Sequence, residues 1–89
     1  MSEEKEIGTV MSYYTNISVA AIRLTGALKI NDQVRIKGNT TDFTQKIASL
    51  QIDRKEVKSA KKGDEIGIKV IDRVRPNDRI YLVKITKTL

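Results

Sequence analysis

The sequence predicts an all-β protein, a six-stranded closed barrel of Greek-key-like form, from three observations. A Gly or Asn followed by Asp and an alternating apolar stretch occurs three times: Asn31-Asp32-Gln33-Val34-Arg35-Ile36, Gly63-Asp64-Glu65-Ile66-Gly67-Ile68 and Asn77-Asp78-Arg79-Ile80-Tyr81-Leu82. Gly and Asn tolerate positive φ and Asp bonds back to nearby backbone, so each pair closes a tight turn. The alternation after each turn builds a strand with one buried face. Finally, a chain of 89 residues buries only roughly 60–65% of its unfolded surface. Six strands around one small core leave two open edges unless the sheet closes.

Residues 1–5 read as a disordered N-terminal tail, and 6–89 as one barrel domain. The first strand is expected from about Glu6 to Tyr13, with Gly8 allowing a bulge or a close backbone approach. After a turn at Thr15-Asn16, Ser18 to Leu24 forms the second, and Thr25-Gly26 ends it. Leu28-Lys29-Ile30 leads into the third, Asp32 to Lys37, with Val34 and Ile36 inward and Arg35 and Lys37 outward. A long fourth strand spans Phe43 to Asp53. Its Ile47-to-Leu50 step of three breaks the alternation, so a bulge near Ala48-Ser49 is expected. Arg54 to Lys62 reads as an irregular charged loop pinned by Val57 and Ala60. Glu65 to Ile71 and Arg79 to Ile85 supply the last two strands, separated by Pro76, which has no amide proton for a ladder.

Composition narrows the function classes. Cysteine and histidine are both absent, which removes disulfides, thiolate metal sites and histidine-dependent catalysis. So small a barrel can scarcely enclose an active-site pocket, so the chain is expected not to be an enzyme. Asp32, Asp64 and Asp78 fall on separate turns, where capping explains them better than a metal site would. No metal or cofactor is expected. No apolar run has membrane-spanning length, and the polar start Met1-Ser2-Glu3-Glu4-Lys5-Glu6 is unlike a signal peptide, so a cytoplasmic location is expected.

The net charge is +6. Residues 1–42 hold five basic and five acidic groups, and 43–89 hold twelve against six, so the excess lies in the second half. Either an anionic partner such as RNA or simple surface solubility accounts for this asymmetry. The candidate nucleic-acid-binding residues are Arg73, Arg75 and Arg79 around the Pro76 turn, with Arg54, Lys55, Lys58, Lys61 and Lys62 in the charged loop. Of the neighbours Tyr13 and Tyr14, strand parity puts one in the core and one outside, where it could stack on a base. Phe43 and Tyr81 read as core-related.

Four segments together carry a family resemblance. Ile7-Gly8-Thr9-Val10, Leu28-Lys29-Ile30-Asn31-Asp32-Gln33-Val34-Arg35-Ile36, Ile47 to Ile68 and Arg75-Pro76-Asn77-Asp78-Arg79-Ile80-Tyr81-Leu82 resemble, in order and spacing, the second-domain β-barrel of translational GTPases such as elongation factor Tu. Asn31 and Asn77 stand where that family has Gly, and there is no Gly-rich phosphate loop with its Lys-Ser/Thr. The chain therefore looks most like short stand-alone translation-factor-like proteins and the terminal barrels of collagenase-like peptidases. Lys37-Gly38-Asn39-Thr40-Thr41-Asp42-Phe43 is similar to the latter.

The resemblance and the charge together imply a non-catalytic, translation-factor-like module that associates with RNA or the ribosome through a basic face. The alternative is a protein-interaction barrel docking on a partner enzyme or GTPase domain supplied by another chain, because relatives of this barrel pack on a neighbouring domain.

Overall fold

The computed structural model describes residues 2–85. Ten strands form: β1 (Ser2–Tyr14), β2 (Val19–Leu24), β3 (Leu28–Lys29), β4 (Gln33–Lys37), β5 (Asp42–Lys46), β6 (Gln51–Ile52), β7 (Lys55–Glu56), β8 (Ser59–Ala60), β9 (Glu65–Lys69) and β10 (Arg79–Ile85). Eight make one antiparallel sheet in the order β5-β4-β10-β1-β2-β9-β6-β7, and β3 and β8 form a separate two-stranded ribbon. Residues 2–5, expected as a tail, pair with β10, while Met1 lies outside the described residues.

The three repeated turns form as the sequence implies. Their third residues, Asn31, Gly63 and Asn77, have φ of 78°, 93° and 75°. In each, the Asp amide donates to the carbonyl three residues back, at 3.0–3.1 Å, and the Asp carboxylate accepts that same residue's N–H. Thus Asp32 grips Lys29 at 3.0 Å, Asp64 grips Lys61 at 3.0 Å and Asp78 grips Arg75 at 2.9 Å. Pro76 occupies the second position of the third turn, where its fixed φ suits a turn with positive φ at the next residue. The strands launched by these turns, β4, β9 and β10, bury Val34, Ile36, Ile66, Ile68 and Ile80 in the single core.

β1 lies within the sheet and bends at two bulges, where its pairing skips Ile7 against β10 and Met11 against β2. Its first half pairs with β10 and its second with β2, so one long strand curves around the core. Gly8 sits at the first bulge. A Cβ there would lie 2.9 Å from the Ile22 side chain and 3.0 Å from the Arg23 carbonyl, so the close approach requires glycine.

A closed six-stranded barrel does not form. The expected fourth strand is two pieces: β5 pairs with β4 at one end of the sheet, and β6 joins β9 near the other. Between them, the chain leaves the sheet and crosses the open end of the core, burying Ile47 and Leu50. The step of three between those residues marks this crossing, and the expected bulge at Ala48-Ser49 is absent. No ladder joins β5 to β9. The Gln45 side chain takes its place: its amide donates to the Lys69 carbonyl at 2.9 Å, and its oxygen accepts the Ile71 N–H at 2.9 Å. The sheet thus stays open, and the Gln45 side chain spans the gap between β5 and the end of β9.

The charged loop is also more regular than expected. Asp53 and Arg54, with φ of 52° and 64°, form the two-residue turn of the β6–β7 hairpin, and β8 pairs with β3. Val57 and Ala60 do anchor it against the core. Among the described residues no helix is long and apolar enough to cross a membrane.

Candidate docking surface

The sheet interleaves the two halves of the sequence, so the charge asymmetry along the chain is not an asymmetry in space. Glu6 on β1 takes Arg79 of β10 in two contacts, at 3.0 and 2.9 Å. Arg35 on β4 holds Asp42 bidentately, 2.7 Å for each contact, and reaches Glu4 at 3.1 Å. Hydrogen bonding to Arg35 lowers the Asp42 pKa, and the same bond raises that of Arg35. Arg23 pairs with Glu65 at 3.4 Å. Tyr81, expected near the core, lies on this charged outer face, half-buried opposite Glu6 and Arg35. Phe43 does pack on the core.

The predicted basic set does not form one face. Arg79 is neutralised by Glu6. Lys61 and Lys62 sit in the turn held against Leu24, at one end of β2, since Gly63 N–H donates to the Leu24 carbonyl. Arg73 and Arg75 lie toward the other end, where the Val70 N–H donates to the Ser18 carbonyl. Six steps of chain from Ser18 to Leu24, at about 3.3 Å each, put those ends roughly 20 Å apart. Lys55 is on the short β7, and Lys58 follows it, both exposed. Arg54 tips the β6–β7 hairpin. Of the six arginines, 54, 73 and 75 make no ion pair among the described residues.

The Ser18 end gathers a second feature. The large apolar side chains most exposed among the described residues are Tyr14 (53%), Ile17 (60%) and Ile71 (74%). Tyr14 and Ile17 border the β1–β2 turn, and the hydrogen bond from Val70 to Ser18 brings Ile71 beside that turn. Tyr14, Ile17, Val19, Ala21, Gln51, Asp53, Arg54 and Gly67 enclose a groove of about 480 Å³. Its floor is the cross-strand row Ala21–Gly67–Gln51, small at Ala21 and Gly67. Positive φ at Ser18, Asp53 and Arg54 marks both turns bordering the groove. Such backbone costs on the order of 1–3 kcal/mol at non-glycine residues and clusters at functional sites.

Tyr13 and Tyr14 divide as strand parity implies, Tyr13 against the core and Tyr14 outside. Sequence reasoning passed over Ile17 and Ile71. Ile71 was legible: with Ile66, Ile68 and Val70 inward, the same parity sends 67, 69 and 71 outward.

No protein-family model matches the chain. A Methanocaldococcus jannaschii protein described as an uncharacterized protease is 45% identical over 82 residues, covering 91% of this chain and 20% of that protein. A Porphyromonas gingivalis collagenase is 34% identical over 77 residues, covering 84% of this chain and 21% of the collagenase. The chain thus spans about a fifth of the length of the curated relatives it matches. By structure, the C-terminal domain of a Geobacillus thermoleovorans protein described as a U32 peptidase superposes with a TM-score of 0.82 at 20% identity. The match covers 85% of this chain and 96% of that domain, and it is a likeness of fold.

These relatives overturn the translation-factor-like, RNA- or ribosome-associated function expected from the sequence. The likeness to elongation factor Tu is not shown. The resemblance to barrels of collagenase-like peptidases is the part the comparisons support.

Proposed function

We propose that this chain is a non-catalytic docking domain that packs on the catalytic domain of a peptidase. The observation that carries the proposal is the gathering of exposed Tyr14, Ile17 and Ile71 with unpaired Arg54, Arg73 and Arg75 at one end of the sheet. Tyrosine and arginine dominate the energetically important centres of protein interfaces, and a groove with a small-residue floor accepts a projecting apolar side chain. The protease and collagenase names of its relatives, each about five times its length, indicate the kind of partner.

The test uses the Methanocaldococcus jannaschii protein with its matched 82-residue region removed, mixed with the present chain and analysed by calorimetry and size exclusion. A complex is expected, and the Ile17→Asp/Ile71→Asp variant should weaken it at least about ten-fold, since hot-spot residues are worth over ~1.4 kcal/mol each. Both side chains are largely in solvent, so the variant should keep the wild-type circular dichroism spectrum. Absence of a complex, or equal binding by both proteins, overturns the proposal.

A further inference from the structure

Beside the apolar groove lies a second cleft of about 530 Å³, lined by Ser12, Tyr13, Thr15, Arg73, Val74, Arg75 and Pro76. We propose that this cleft is a carboxylate site that receives an acidic side chain from a peptide segment of the docking partner. The inference rests on the docking function above and names the chemistry of one contact within it.

Three features of the cleft carry the inference. Its lining holds two guanidinium groups and three hydroxyls, with no acidic residue. Neither guanidinium makes an ion pair among the described residues, whereas Arg23, Arg35 and Arg79 each hold a carboxylate. The backbone that carries the arginines is also anchored. Val74 between them is fully buried, so its neighbours are turned outward, and the Arg75 N–H is held by Asp78 at 2.9 Å. Two planar, permanently charged forks on an anchored segment suit the paired oxygens of a carboxylate.

A peptide fits better than a bare anion because Tyr13 and Pro76 provide apolar walls, which a peptide backbone and side-chain stem can cover but a small ion cannot. Arg73 and Arg75 also border a smaller hollow with Thr40, Thr41, Asp42, Phe43 and Asp72. That hollow carries two carboxylates of its own, which repel an incoming acid, so the acid-free side is the binding side.

The experiment is a nuclear magnetic resonance titration of the isotope-labelled chain with a blocked tetraglutamate peptide and, separately, with inorganic phosphate at matched ionic strength. The peptide is expected to shift the amides of Ser12, Thr15 and residues 73–75 saturably. Arg73→Gln/Arg75→Gln should weaken that binding at least about ten-fold, while Lys62→Gln, in the turn at the far end of β2, leaves it unchanged. The inference is overturned if the shifts do not saturate, if the double variant binds equally, or if phosphate binds the same residues more tightly than the peptide. The two proposals can fail separately. Loss of docking in Ile17→Asp/Ile71→Asp without peptide binding in the cleft would refute only the carboxylate site.

Discussion

Replacing Gln45 by Leu tests how this sheet is held together. Gln45 is buried, and its amide makes the two hydrogen bonds that bridge β5 to the end of β9, where no ladder exists. Leucine keeps the bulk and removes both bonds, leaving the Lys69 carbonyl and the Ile71 N–H without their partner. Each bond contributes a net 0.5–1.5 kcal/mol, so the pair is worth ~1–3 kcal/mol. Because Lys69 and Ile71 are themselves exposed, water can reach the freed groups, and the lower half of that range is expected. For a domain of this size, a loss of ~1.5 kcal/mol lowers Tm by about 6–12 °C. Urea unfolding measures the loss, and hydrogen exchange at the Ile71 amide shows where it arises: protection there should fall more than at the Ile22 amide in β2. Gln45→Glu separates the two bonds, since a carboxylate can still accept from Ile71 but cannot donate to Lys69. An unchanged urea midpoint with unchanged Ile71 protection in Gln45→Leu would refute the side-chain bridge across the gap in the sheet.

Other perturbations probe the turns, the bulge and the charged face. Asn77→Ala keeps φ at 75° but removes the polar side chain that makes this conformation tolerable, and should cost ~1–2 kcal/mol in urea unfolding, whereas Asn77→Gly should be nearly neutral. Gly8→Ala must displace the Arg23 carbonyl or the Ile22 side chain, and a loss of ~1–3 kcal/mol in the same assay is expected. Arg35 lowers the folded-state pKa of Asp42 below its ordinary 3.8, so this pair stabilises the fold above that value and the contribution fades as pH falls through the lowered folded-state pKa. Wild type should therefore exceed Asp42→Asn in thermal stability at pH 7, and the difference should close at the acid end of a pH series.

The three turns were legible in the sequence because all their determinants are local. A residue that accepts positive φ, an Asp one position later and an alternating strand lie within six residues, and Asn31-Asp32, Gly63-Asp64 and Asn77-Asp78 behave alike in the structure. The same locality made the inward sets of β4, β9 and β10 readable, as well as the glycine requirement at Gly8. Pairing between distant strands has no such local signal. Which arginines are neutralised depended on β1 lying beside β10, which gave Arg79 to Glu6 and left Arg73 and Arg75 unpaired among the described residues. Counting charge along the chain could not separate these arginines, because a sheet sorts residues by strand order rather than by sequence position.

The sequence by itself determined the all-β class, the turns and the residues that face the core, since these follow from backbone preference and a period of two. Only the tertiary structure decided that the sheet stays open and that one glutamine spans the gap. It alone also brought the exposed apolar residues and the free guanidiniums to one end. Those outcomes depend on contacts 24 to 73 residues apart in the chain, such as Gln45 with Lys69 and Glu6 with Arg79, whose geometry exists only once the strands have packed.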